Sequence, residues 1–156
     1  MPPQFLFDLS TIDMDAVVAD IDEIRKYNPQ RGDMEHLNGI TYFDDKGHVI
    51  GFKDVRREEF WVAGHIPGRP LLPGVLMIEA AAQLSSFFVR RILGWDGFIG
   101  FGGVENCKFR QQVLPGSKLY FICKQDRVRH RRFTSHVQGV VKGQLVFEAT
   151  ITGAAM

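Results

Sequence analysis

Cysteine is scarce in this chain. Cys107 and Cys123 are the two present and have no CxxC spacing, which excludes a disulfide scaffold and reads as reduced thiols of a cytoplasmic protein. Long apolar runs are missing too. Glu79, Gln83, Arg90 and Arg91 break the most apolar segment before it reaches about 18 residues, and residues 1–10 lack the basic and apolar regions of a secretory leader. Neither a membrane span nor an export signal is expected. Nor is there an excess of charge: the formal net charge is +1, so no global field draws the chain to nucleic acid or a membrane surface. Four of the five histidines, His36, His48, His130 and His136, show no zinc-like spacing among themselves or with the cysteines. Gly97, Gly100, Gly102 and Gly103 precede neither a GK[ST] ending nor a helix, which excludes a nucleotide loop. No metal or cofactor is expected. Repeats, linkers and low-complexity tracts are absent.

What remains is an ordinary apolar fraction of 45% and a charged fraction of 24% over 156 residues, enough for one domain that buries roughly two-thirds of its unfolded surface. Phenylalanine is abundant, at 13 residues, and suits a core or the lining of an apolar channel. At the N-terminus, Met14, Val17, Val18, Ile21 and Ile24 recur at helical spacing before Asn28 and Pro29, so a helical extension is expected at about residues 10–28. From Gly39 the pattern turns to strands. Ile40 to Phe43 and His48 to Val55 flank a turn at residues 44–47, and four more extended runs follow: Phe98 to Phe109, Ser117 to Arg129, Phe133 to Val141 and Leu145 to Thr152.

Between these two sets of strands lies the block from Gly64 to Gln83, G-H-I-P-G-R-P-L-L-P-G-V-L-M-I-E-A-A-A-Q. Pro67, Pro70 and Pro73 with Gly64, Gly68 and Gly74 hold its first half out of helix, and Pro73 suits a helix start. From Pro73 to Leu93 apolar residues fall on every side, the pattern of a helix buried all round. Glu79 and Gln83 alone interrupt its first half, four apart and so on one face. A carboxyl so placed finds a partner, holds a proton near neutrality, or costs several kcal/mol in desolvation. On the residues alone, an acid/base pair of His65 and Glu79 and a merely structural Glu and turn His stand about equal. One long helix flanked by strands, with no βαβ alternation, argues for an α+β fold in which an antiparallel sheet wraps around a central helix.

The block resembles the active-site segment of the β-hydroxyacyl-acyl carrier protein dehydratases of bacterial fatty-acid synthesis, the Z-type enzymes of the hot-dog fold. The resemblance continues in G-V-E-N-C-K-F from Gly103 to Phe109, V-L-P-G from Val113 to Gly116, and the final hairpin V-K-G-Q-L-V-F-E-A. It implies a lyase of lipid metabolism, a homodimer with trimer-of-dimers assembly open, and a catalytic pair of His65 and Glu79 contributed by opposite subunits. A related dehydratase-isomerase group has Asp at the position of Glu79 and Cys before the histidine; Glu79 and Gly64 fit the plain dehydratase branch. The chain departs from the family at Asn28 to Leu37, N-P-Q-R-G-D-M-E-H-L, where Asp33, Glu35 and His36 replace apolar residues. Ile66 stands where Phe is frequent.

Dehydration of a 3-hydroxyacyl thioester needs a base at C2, an acid at the leaving hydroxyl and a donor to the thioester oxygen. A neutral His65 suits the first and a protonated Glu79 the second. The backbone N–H of Gly74, at the helix start, suits the third. Ile66, Pro73 and Gln83 are expected as site wall. The acyl carrier protein is expected to dock on Lys108, Arg110, Arg90 and Arg91, while Arg127, Arg129, Arg131 and Arg132 read as a solvated strand end. A hot-dog acyl thioesterase and a non-catalytic acyl-thioester-binding subunit remain alternatives.

Overall fold

The computed structural model describes residues 4–156. Six strands form one antiparallel sheet: β1 (Gly39–Phe43), β2 (His48–Asp54), β3 (Ile99–Phe109), β4 (Lys118–Arg129), β5 (Arg132–Val141) and β6 (Gln144–Ala155). Their order across the sheet is β1-β2-β4-β5-β6-β3. Strands from both halves of the sequence thus share one sheet, with β2 paired to β4 along its whole length from His48↔Lys124 to Asp54↔Lys118. The expected strand limits agree with the observed ones to within a residue or two, except that β6 runs on to Ala155.

The first helix, αA (Ile21–Arg25), is one short turn and a half. Asp20 caps it, its carboxylate accepting from the Glu23 N–H. This corrects the helical extension expected over residues 10–28. Val17 and Val18 are exposed rather than packed, and the Val18 and Ala19 N–H groups bond to the Ile40 carbonyl along the edge of β1. β-branched valines gain more from that sheet edge than from an isolated helix of this length. Upstream, Phe5, Leu6, Phe7, Leu9, Ile12 and Met14 lie against Ile50, Ile122 and Val140 on the outer face of the sheet.

The second helix, αB (Gly74–Arg91), lies across the inner face. Met77, Ala80, Ala81, Leu84, Phe87, Phe88 and Val89 are buried there against Phe121, Phe147, Ile151 and their neighbours in the main core. The helix was expected to be buried all round, and in the single chain it is not. Val75 is 67% exposed, and Glu79, Ala82 and Ser86 on the same stripe are only partly buried. Spacings of four, three and four residues keep these side chains on one face. The sheet covers the opposite face and leaves this one open.

Candidate active site

The open stripe of αB carries Glu79, and the turns that precede the helix carry His65. His65 sits in a run of turns after β2, its backbone N–H bonded to the Trp61 carbonyl at 2.9 Å. It lines a surface cavity of about 370 Å³ with Phe60, Trp61, Gly64, Pro73, Val75 and Leu76, so the imidazole stands beside the N-terminus of αB. Glu79 lines a different cavity, of about 200 Å³, with Gln30, Ala82, Gln83, Ser86, Phe133 and other residues of β3 and β6. Within one chain the two expected catalytic residues therefore open onto separate spaces.

Gln83 is more than wall. It is 3% exposed, its Oε1 accepts from the His36 backbone N–H at 3.1 Å, and its Nε2 donates to the Met34 carbonyl at 2.7 Å. Those two main-chain contacts leave one way round for the amide. The remaining Nε2–H then donates to Glu79 Oε1 at 3.0 Å. That contact fixes Oε1 and leaves Oε2 as the carboxyl oxygen turned away from Gln83. The departing segment Asn28 to Leu37 supplies this fixation: Asn28 Nδ2 donates to the Gln83 carbonyl, and Arg25 and Glu35 form a two-point ion pair that ties the segment to αA.

Behind Gln83 lies a buried polar group that sequence spacing gave no reason to assemble. His36 is 1% exposed, and neither ring nitrogen has a hydrogen-bond partner. Burial holds its pKa below the ordinary histidine value; Lys53 reinforces this, while Glu79 and Glu59 oppose it. Lys53 and Glu59 form an ion pair at 2.6 Å with both side chains buried. Burial alone would raise Glu59, but donation from Lys53, the Arg56 N–H and the Trp61 indole outweighs it and leaves the carboxyl below its usual range. Both cysteines are unpaired; burial pushes Cys123 up to about 12, which disqualifies it as a thiolate nucleophile.

The other expected site residues divide. Pro73 lines the His65 cavity, whereas Ile66 is 40% exposed on the turn and borders neither cavity. Gly74 opens αB, and no side chain caps that terminus, so donors of the first turn remain available. Packing calls for glycine there: a Cβ would lie 2.7 Å from the ring of Phe109. Of the four expected docking cations, three are engaged within the chain. Arg110 pairs with Glu148 at 2.8 Å, Arg90 donates to the Gly97 carbonyl, and Arg91 lies over the Phe43 ring. Lys108 is exposed on β3.

The densest group of exposed arginines lies elsewhere. β4 and β5 continue beyond the last β2 pair, His48↔Lys124, into a hairpin that turns at His130 and Arg131, both with positive φ. Arg127, Arg129, Arg131 and Arg132 are all exposed there. The next residue, Phe133, turns inward and lines the Glu79 cavity. Among the described residues no group of three His, Cys, Asp or Glu side chains is placed to hold a metal, and no helix is long and apolar enough to cross a membrane.

An antiparallel sheet laid around one long helix is the hot-dog architecture. Two solved structures share the architecture: the dehydratase heterocomplex ApeI:P of Xenorhabdus doucetiae, with a TM-score of 0.73, 16% identity and coverage of 85% of this chain and 90% of that one, and Cj0977, a sigma28-regulated virulence protein of Campylobacter jejuni, with 0.70, 19%, 93% and 96%. Sequence comparison narrows the class. The FabA-like domain profile matches residues 28–150. A 3-hydroxyacyl-[acyl-carrier-protein] dehydratase FabZ of Agrobacterium fabrum is 37% identical over 139 residues, 88% of this chain and 90% of the relative. The same-named protein of Lawsonia intracellularis is 36% identical over 140 residues, 86% and 90% of the two chains. The chain belongs to the FabA-like dehydratase family.

Proposed function

We propose that this protein is a hydro-lyase of fatty-acid biosynthesis that converts (3R)-3-hydroxyacyl-acyl carrier protein to the trans-2-enoyl thioester and water. His65 of one protomer and Glu79 of the other form each site of a homodimer. The observation that carries this reading is the separation of the two residues within one chain, along a helix face left open beside an unpaired sheet edge. That edge is β3, whose Phe101 and Phe109 are about half exposed. An apolar, unpaired edge strand suits pairing with a second copy, which brings the turn of one chain over the open helix stripe of the other.

In this site neutral His65 takes the C2 proton, and the charge moves to the thioester oxygen, which accepts a hydrogen bond from the first-turn N–H of Gly74. Protonated Glu79 gives its proton to the C3 hydroxyl, which leaves as water while the C2–C3 double bond forms. Return of the proton from His65 to Glu79 through solvent restores the pair. General acid/base action of this kind contributes about two to four orders of magnitude, and one oxyanion donor about 3 kcal/mol. The carrier protein docks on the basic tip of the β4–β5 hairpin, where four arginines are exposed. Unpaired cysteines suit a reducing cytoplasm.

The test is complementation. His65→Ala and Glu79→Gln each abolish turnover, while co-refolding equal amounts restores about a quarter of wild-type activity, since about half the dimers pair unlike chains and each of these has one intact site of two. Absence of rescue with subunit exchange verified by mass refutes the shared site. Release of free thiol without enoyl product would instead establish a thioesterase.

A further inference from the structure

His65 stands in a segment that neither helix nor strand holds in place. Between β2 and αB the chain runs through turns and bends, and residues 63–69, His65 among them, are all exposed. The two ends of the segment are pinned: the Val55 N–H donates to the Ser117 carbonyl at 3.0 Å, and the Leu72 N–H to the Val113 carbonyl at 2.8 Å. Between those pins the polar tie to the sheet is Lys53, which lies opposite Leu119 in the β2–β4 ladder and donates to Glu59 Oε1 at 2.6 Å. The same oxygen accepts from the Trp61 indole N–H at 3.1 Å, while Glu59 Oε2 accepts from the Arg56 N–H at 2.9 Å. Trp61 is buried in the main core, and its carbonyl accepts the His65 N–H at 2.9 Å. One line of contacts therefore runs from a sheet strand through Lys53, Glu59 and Trp61 to the backbone of His65.

We infer that Glu59, seated on Lys53, is a positioning residue for His65 and acts through Trp61, whose indole it holds on one side and whose carbonyl holds the histidine on the other. The inference rests on the proposed reading of His65 as the base of the dehydration. A general base works within hydrogen-bond reach of the proton it takes, and a displacement of about 1 Å costs about 100-fold in rate. Fold stability alone does not call for this ion pair, since well-packed apolar residues of similar volume replace a buried pair with little loss. What apolar side chains cannot supply is an acceptor for the Trp61 indole. Left buried and unpaired, that N–H costs about 1–3 kcal/mol, so the indole turns to find a partner and carries its carbonyl, and His65, with it.

The experiment compares turnover with stability in the intact protein, using 3-hydroxybutyryl-acyl carrier protein as substrate, thermal melts, and hydrogen exchange at the His65 amide by NMR. Lys53→Met with Glu59→Leu melts close to the wild type, yet its kcat falls by about 100-fold at unchanged KM, the split expected when only the reacting geometry is lost. Glu59→Gln is the less stable protein but still offers the indole a carbonyl oxygen. Below its melting temperature it therefore turns over faster than the double variant, so the order of activity inverts the order of stability. Trp61→Phe keeps an aromatic ring in the core, removes the indole donor and lowers kcat about tenfold. Turnover that follows stability, or wild-type kcat in Trp61→Phe, overturns the inference; should the double variant fail to fold, Trp61→Phe decides it. If the wild type dehydrates nothing, the proposed function falls, and the His65 amide still decides the anchoring: exchange about tenfold faster in Trp61→Phe supports it, and unchanged exchange refutes it.

Discussion

Replacing His36 with leucine is expected to stabilise the protein, and increasingly so as the medium becomes acidic. The imidazole is buried at 1% exposure with both nitrogens unpartnered, and each unpaired buried polar group costs about 1–3 kcal/mol. Against that relief stands about 1 kcal/mol for fitting a branched side chain into a space shaped for a ring. The net gain is about 2 kcal/mol, which raises Tm by about 4–8 °C in a domain of this size. Leucine leaves the His36 backbone N–H donation to Gln83 in place, so the orientation of Glu79 and the turnover are retained. The pH dependence has a definite sign. The folded-state pKa of His36 is lowered by burial and by Lys53, against the opposing charges of Glu79 and Glu59, so in mild acid the unfolded chain binds a proton that the folded chain does not. Stability is full above the unfolded histidine pKa of about 6.5 and is lost as the pH falls from there through the folded value. Leucine removes this loss. Calorimetric melts of both proteins at equal concentration, at neutral pH and in mild acid, check it. A variant that melts no higher than wild type at neutral pH, or a gap in Tm that does not widen on acidification, refutes the reasoning.

Two further outcomes are expected. Glu59→Gln leaves Lys53 buried without its counter-charge and costs about 3–5 kcal/mol, while the double change Lys53→Met with Glu59→Leu recovers most of it; denaturant melts of the three variants measure both. The stabilisation from Glu59, whose folded pKa lies below its usual value, is present above the ordinary carboxylate range and lost as the pH falls through it. Reversing Arg127 and Arg129 to Glu raises KM for the carrier-borne substrate at low salt but leaves kcat on a small thioester analogue unchanged. Equal loss on both substrates in steady-state assays places the hairpin's role elsewhere.

Much of the fold was legible in residue pattern. Strand limits followed alternation and turn residues, and αB followed Pro73, Gly74 and an unbroken apolar run, because these signals act within a few residues of where they stand. The helix expected over residues 10–28 failed because periodicity is silent about a nearby sheet edge, and Ile40 offered Val18 and Ala19 carbonyl partners there. The pair His65 and Glu79 was legible as residue types out of place. The role of Gln83 was not, since what fixes its amide, Met34 and the His36 N–H, comes from a segment 47 or more positions away.

The sequence by itself determined the element types, the location of the chemical block and the family, since local propensity and a specific run of side chains suffice for these. Only the tertiary structure decided that one stripe of αB stays open, that His65 and Glu79 face separate cavities, that His36 is buried unpaired beside Lys53 and Glu59, and that three expected docking cations are already engaged. Each of these depends on which distant segments meet. Such meetings are settled by the packing of the whole chain, where one carboxylate such as Glu148 claims one arginine and leaves others free.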